Sequence, residues 1–368
     1  MESTVCPVRH VPPSSYGRFR NACCATLRFQ CRFSSTDSQK AAAQTAAIKS
    51  EWRRRRNVIF DNEKQRQQSE IGRIEKVAVK YLPWDKDEAP IEMRMNKHLS
   101  TPYDCTKHLT EDYTKTVCLA LVDRRPWDLQ KPFEQDCELE LITMAHSNKS
   151  PVVNTAFWRS CSLLMGCMVE ASFKDEIQVY LHSFPKPDLK SGSFTYDAVI
   201  DLPDWKPTQA ELRAMSAAFV KLSNQESFME RLEVSEELAL DMFQDNPFKN
   251  KQIPNIAQNH NGKIVLYRIG DFIDISQGPM VGSTGIIGKA TIASVHKVES
   301  NETDRLYRFQ GVALPKGTRL NHFAWSVLEK DARKFNDLAS VTPVRESVTS
   351  APTEVVSDEE KERSSAAN

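Results

Sequence analysis

The sequence predicts an α+β protein with an N-terminal helical basic arm, a small mixed unit and a larger α+β domain. Three observations carry this. Short segments such as "KVAVKY" and "CELELI" alternate apolar and polar residues with the period of a strand. Between them lie helical runs with start signals, such as the Thr208/Glu211 capping box of "TQAELRAMSAAFVKL". Charge is also uneven: residues 37–80 hold eleven Lys/Arg against six Asp/Glu, whereas residues 81–338 hold 30 against 36.

Residues 1–36 hold Arg9, Arg18, Arg20, Arg28 and Arg32, several serines and a single acid, Glu2. Arg-rich, Ser-rich and acid-poor is the composition of a mitochondrial transit segment. Residues 37–73 follow as the arm. They are rich in helix formers and free of proline, and predict one or two helices over about 38–70. Arg53, Arg54, Arg55 and Arg56 circle the helix, with Trp52, Val58, Ile59 and Phe60 as apolar anchors. Four adjacent guanidiniums repel one another unless an anion lies nearby, and phosphate is a good bidentate partner for Arg. These four, with Lys64 and Arg66, are the expected RNA-binding residues; a solvated charge run is the plainer alternative.

Residues 74–147 read as strand, strand, helix, strand, strand, the plan of a small β-grasp fold. "IEKVAVKYL" and "IEMRMNKHL" are the first two strands. Pro102 behind Ser100 and Thr101 starts the helix. "KTVCLALVDRRPWDL" is a strand running into a turn, and Cys137, Leu139 and Leu141 share one face of the last strand. Residues 148–337 form the larger domain: an apolar helix over 155–173, strands "EIQVYLHSF" and "SGSFTYDAVI", the capped helix from Thr208, a second helix "SEELALDMFQDN", one strand-like stretch "KIVLYRIGDFIDIS", then strands "GKATIASVHKV" and "LYRFQGVALP". Residues 338–368 are a polar, acidic tail without periodicity, expected to be disordered.

The composition excludes several classes. The formal net charge of the 368 residues is zero, which argues against a wholly basic nucleic-acid binder. No apolar run approaches the ~20 residues of a bilayer span. The nine cysteines make no CxxC pair and no zinc-ligand spacing with histidine, so reduced thiols are expected, with no metal and no cofactor. "GPMVGSTGIIG" is Gly-rich but lacks the Lys of a P-loop and dinucleotide-loop spacing, and reads as a packing loop. His98 and His108 carry no ligand pattern.

The stretch "RIGDFIDISQGPMVG" sets Asp271 and Asp274 in an apolar frame ahead of a Gly-Pro turn. A carboxylate there can be a metal ligand, a general base or a turn residue. With "CLALVDRRPWDLQKPFEQDCELELITM" and "WRSCSLLMGC" it resembles the N-terminal half of threonyl-tRNA synthetase: a TGS domain followed by an editing domain, over about 74–320. The resemblance implies a hydrolytic site of two histidines at i and i+4, plus an Asp, a Cys and a His around the Gly-Pro turn. Here those positions hold Arg159, Leu163, Asp274, Ser276 and Met280. Leu163 and Met280 can neither ligate a hard metal nor carry a proton, and Arg159 is no base near neutral pH. The expectation is a degenerate site with no catalytic residue, in which Asp274 and Asp271 serve as turn or capping carboxylates. Only 30 residues follow residue 338, so no aminoacylation module is expected.

"MNKHLSTPYDCTKHL", "ALVDRRPWDLQKPF", "AFWRSC", "RIGDFIDISQGP" and "RFQGVALP" together resemble the family of mitochondrial large-subunit ribosomal protein number thirty-nine, a synthetase-derived scaffold without catalysis. This implies a non-enzyme of the mitochondrial matrix whose partners are mitochondrial rRNA, through the arm, and neighbouring large-subunit proteins, with no small-molecule substrate. Trp84, Trp127, Trp158 and Trp205 are candidate interface anchors, although each is more often core. A free-standing trans-editing hydrolase and a mitochondrial tRNA-binding regulator are the alternatives.

Overall fold

A single helix, α1 (Thr36–Ser69), carries the arm. The structure, a computed structural model, describes residues 36–84, 87–146, 151–174, 176–300 and 302–337. The expected transit segment, apart from Thr36, and the acidic tail lie outside these residues. Phe60 fixes α1 to the body: it is fully buried among Leu232, Met242, Phe243, Ile264, Leu266 and Ile273 of the large domain.

The small unit is built on β1 (Lys76–Tyr81), β2 (Ile91–Asn96), β3 (Val117–Val122), β4 (Arg125–Trp127) and β5 (Cys137–Thr143), in the spatial order β2-β1-β5-β3-β4. β1 runs parallel to β5 and antiparallel to β2. Helix α2 (Pro102–Leu109) starts as its residues dictate: Thr101 and Asp104 form a reciprocal capping box and Pro102 occupies the first turn. Two short elements escape the sequence reading. α3 (Glu111–Thr116) is polar all round and is held by Thr110, whose side chain accepts from the Tyr113 N–H. β4 is three residues long and contains a proline. Val77, Val79 and Tyr81 meet Cys137, Leu139 and Leu141 in the core, so the period-two faces point inward as read.

In the large domain, α4 (Val152–Ser172) and α5 (Gln209–Ser223) pack on a four-stranded antiparallel sheet of order β11-β12-β7-β6, made of β6 (Val179–Ser183), β7 (Phe194–Ile200), β11 (Ile287–Val298) and β12 (Leu306–Pro315). β8 (Met229–Ser235), β9 (Lys263–Ile269) and β10 (Phe272–Ile275) form a second antiparallel sheet, order β10-β9-β8. α6 (Glu236–Met242) and α7 (Pro247–Asn259) cover it with α1, and α8 (His322–Ala332) lies on β11 and β12. α4 is long and apolar enough to satisfy the length test for a membrane span, contrary to the sequence expectation, but most of it is buried as the core helix of this domain.

"KIVLYRIGDFIDIS" is a hairpin, not one strand. Gly270 takes a positive φ of 62°, and Ile269 pairs with Phe272 across the tight turn at Gly270-Asp271. β8, α7 and α8 were not read from the sequence. β8 alternates apolar residues with Glu230, Arg231 and Glu233, and α7 carries Pro254 in its interior, which reads as a helix breaker.

Candidate functional site

The positions singled out by the sequence converge where α4, the β9–β10 hairpin and the Gly-Pro loop meet the small unit. Asp274 is fully buried inside β10, which corrects the expectation of a turn or capping carboxylate. A buried carboxylate must be compensated, and three groups do this. The Lys249 Nζ lies 2.6 Å from Oδ1, itself buried at the start of α7. The Tyr196 hydroxyl donates to Oδ2. The Ile275 N–H donates to Oδ1 at 2.8 Å. Burial, reinforced by the Asp274 charge, pushes the Tyr196 hydroxyl well above its ordinary pKa, so it remains a donor. Asp271 does sit in a turn, exposed, with Arg53 at 3.5 Å.

The Gly-Pro loop is held just as tightly. Gly278 has φ of 67°, and a Cβ built there would stand 1.9 Å from the Tyr267 hydroxyl oxygen, so only glycine fits. Gly166 on α4 is in the same situation against the Tyr196 ring, which a Cβ would meet at 2.5 Å. Arg159 donates to the carbonyls of Gly278 and Pro279, and burial lowers its pKa from the ordinary value. Leu163 and Met280 are buried in one apolar cluster. The Ser276 hydroxyl accepts from the Gly278 N–H at 3.4 Å. Ser160 donates to the Ala156 carbonyl and accepts from the Val281 N–H at 2.9 Å.

From the small unit, Asp128 enters this junction. Both its carboxylate oxygens lie 2.9 Å from the Tyr267 hydroxyl, Oδ1 accepts the Met280 N–H at 2.8 Å, and Arg231 Nε lies 3.4 Å from Oδ2. Burial raises the Asp128 pKa, against the pull of Arg231 and the two hydrogen bonds. The Gly282 N–H donates to the Cys118 carbonyl at 3.0 Å, a second stitch between the units. Among the described residues no three His, Cys, Asp or Glu side chains gather to hold a metal. What the arrangement does chemically is bind two domains together. Sequence reasoning missed Lys249, Asp128, Tyr196, Tyr267 and Arg231. Only Asp128 had a signal, as the acid of the "PWD" turn.

Three of the four adjacent arm arginines have found anions, and these are carboxylates of the large domain. Arg53 pairs with Glu170 at 3.0 Å, Arg55 with Asp241 at 2.6 Å, and Arg56 with Asp245 and Glu170. Lys64 pairs with Glu230 at 2.6 Å. Arg54 and Arg66 bond only within α1, to Glu51 and to Glu63 and Glu70, and stay exposed. Phosphate is therefore not needed to relieve the repulsion among the guanidiniums. The four tryptophans are half-buried, not exposed anchors: Trp84, Trp158 and Trp205 pack on the large core and Trp127 on the small one.

Comparison with known proteins places this geometry. The TGS domain model matches residues 92–143. The threonine–tRNA ligase of Thermotoga maritima is 28% identical over 243 residues, 65% of this chain but 35% of the ligase. Human cytoplasmic threonine–tRNA ligase 2 is 28% identical over 237 residues, 64% of this chain and 27% of the ligase. The molecule is thus of the class that joins a TGS domain to a domain similar to one in threonine–tRNA ligases, spanning about a third of those enzymes. The large ribosomal subunit protein mL39 of Drosophila melanogaster is 45% identical over 282 residues, 76% of this chain and 84% of that protein. The chain belongs to the mL39 family.

Proposed function

We propose that the protein is a structural component of the large subunit of the mitochondrial ribosome, located in the matrix, and that it holds rRNA and neighbouring ribosomal proteins in place. The observation that carries this reading is the family match over most of both chains, joined to a cleft whose chemistry-bearing positions are given to packing and internal bonds. The likeness to the TGS and ligase domains accounts for the scaffold, and the replacement of the expected histidines and thiol by Arg159, Leu163, Met280 and Ser276 accounts for the lack of hydrolysis.

The rRNA contact is assigned to the outward side of α1. With Arg53, Arg55, Arg56 and Lys64 engaged by carboxylates of the large domain, Arg54 and Arg66, whose side chains are 69% and 54% exposed, are the cations best placed to reach phosphate. Such a contact is sequence-independent and weakens with salt.

The test is sedimentation of mitochondrial lysate on a salt-containing sucrose gradient, with and without RNase. Migration with the large subunit that collapses after RNase is expected; migration as a free chain of its own mass would overturn the reading. An Arg54→Glu/Arg66→Glu variant should lose incorporation at lower salt than wild type. Reversing Arg53, Arg55 and Arg56 instead detaches α1 from its own body, so it cannot report on RNA. Unchanged salt sensitivity of the Arg54/Arg66 variant would remove the arm from the rRNA contact.

A further inference from the structure

Helix α8 carries the most exposed aromatic side chain among the described large apolar residues. Phe323 is 77% exposed, and Leu320 and Val327 beside it are 41% and 44% exposed. Phe323 and Val327 stand at i and i+4, on one outward face. The opposite face is spent: Trp325 and Ala332 are buried against Ala293 and Val312 of β11 and β12, and the Trp325 indole N–H donates to Glu329 at 2.6 Å. The outward stripe is thus surplus to the fold, and exposed apolar surface of this kind marks an interaction site.

Its charged surroundings are mainly cationic: Asp331, one turn beyond Val327, is paired with Lys334 at 2.8 Å. Lys330 continues the stripe one turn beyond Val327, Arg319 precedes Leu320, and Lys289 rests over the outer side of the Trp325 ring at 4.3 Å from its centroid. None of these three cations has a carboxylate partner within salt-bridge distance among the described residues. Glu329, the other acid of this part of α8, accepts from the Trp325 indole and the Thr291 hydroxyl. Of the three only the Phe323 ring could stack on a nucleobase, whereas the whole aliphatic–aromatic row, at helical spacing, fits the ridge of another helix.

We infer that α8 is a docking face for a neighbouring ribosomal protein, which presents an amphipathic helical segment with an apolar row flanked by Asp or Glu. Phe323 is the anchor, Leu320 and Val327 widen the contact, and Arg319, Lys289 and Lys330 set its orientation. This rests on the ribosomal reading above.

The experiment introduces p-benzoylphenylalanine at position 323 of the full chain, purifies large subunits on a gradient, irradiates them and sequences the adduct. An adduct to a protein segment with acids beside apolar residues is the expected result. An adduct to rRNA, an adduct to a protein segment without acids, or none on subunits that contain the chain overturns the docking face and leaves the ribosomal reading intact. A chain that never sediments with the subunit overturns both. In parallel, Phe323→Asp should lower retention on salt-washed subunits roughly tenfold, as expected of an interface anchor. Arg319→Glu with Lys330→Glu should lower it most at low salt. The isolated variants should melt with wild type, because these side chains are exposed; retention equal to wild type overturns the inference.

Discussion

Tyr267 and Asp128 belong to different domains, and their hydrogen bond, 2.9 Å to either carboxylate oxygen, lies at the centre of the contact between them. The same Asp128 accepts the Met280 N–H from the Gly-Pro loop and faces Arg231 of β8. One carboxylate from the β-grasp unit thereby satisfies a hydroxyl, a backbone amide and a guanidinium of the large domain. The Gly-Pro loop is thereby part of a domain joint.

Replacing Asp128 by Ala leaves the Tyr267 hydroxyl and the Met280 N–H without acceptors in a water-poor site. Breaking a buried network of this kind costs about 2–4 kcal/mol. Asp128→Asn keeps an acceptor of the same shape and should cost less. Thermal melts of the two variants check this; equal melting temperatures for wild type and Asp128→Ala would refute the joint.

Gly278→Ala should be more damaging than Asp128→Asn. The new methyl would overlap the Tyr267 hydroxyl, and the positive φ adds about 1 kcal/mol of its own. Removing that hydroxyl should relieve part of the overlap, so Tyr267→Phe and Gly278→Ala should couple: the double variant should be more stable than the sum of the singles predicts. Denaturant melts of all four proteins measure the coupling, and strict additivity would show that the clash is not with Tyr267.

The α+β class, the β-grasp strands and the capped helices α2 and α5 were legible because each rests on a local signal: period-two alternation, or a Thr-x-x-acid box. The positions taken as a degenerate site were inferred by resemblance alone. What they had become was not legible. That Asp274 meets Lys249 depends on α7, which Pro254 hid, and on the packing of α7 over a second sheet whose strand β8 reads as a charged loop. The arginine cluster shows the same limit. Four consecutive guanidiniums advertise an anion, but the sequence does not say whether it is a phosphate or the carboxylates of Glu170, Asp241 and Asp245, which lie more than a hundred residues away.

The Lys249–Asp274 pair gives a third prediction. Lys249→Met removes the cation and leaves a buried carboxylate with two hydrogen bonds and no counter-charge, a change of about 3–5 kcal/mol. Adding Asp274→Asn removes the stranded charge, so the double variant should recover much of the loss. A double-mutant cycle by chemical denaturation reads this directly. A double variant that is less stable than Lys249→Met would mean that the carboxylate is held chiefly by Tyr196 and the backbone.

The docking of α1 should depend on pH. Burial alone would raise the pKa of Glu230. The hydrogen bond from Lys64 and the Arg268 charge outweigh it and hold the carboxyl below its ordinary value. A depressed carboxylate contributes stability that is complete above its unfolded pKa of about 4.3 and is lost as pH falls through the lower folded value. Glu170, Asp241 and Asp245 of the large domain also pair with α1, and Asp61 of α1 pairs with Arg268 of β9, so acidification works on several contacts at once. Amide exchange over residues 53–67, corrected for intrinsic rates, should show protection at pH 7 that falls away below about pH 4.5. Glu230→Gln should show less protection at pH 7 and a shallower fall. Phe60→Ala, which removes the apolar anchor at a cost of about 3–5 kcal/mol, should abolish protection at every pH. Protection that persists in Phe60→Ala, or a pH profile of Glu230→Gln identical to wild type, would show that these contacts do not hold the arm.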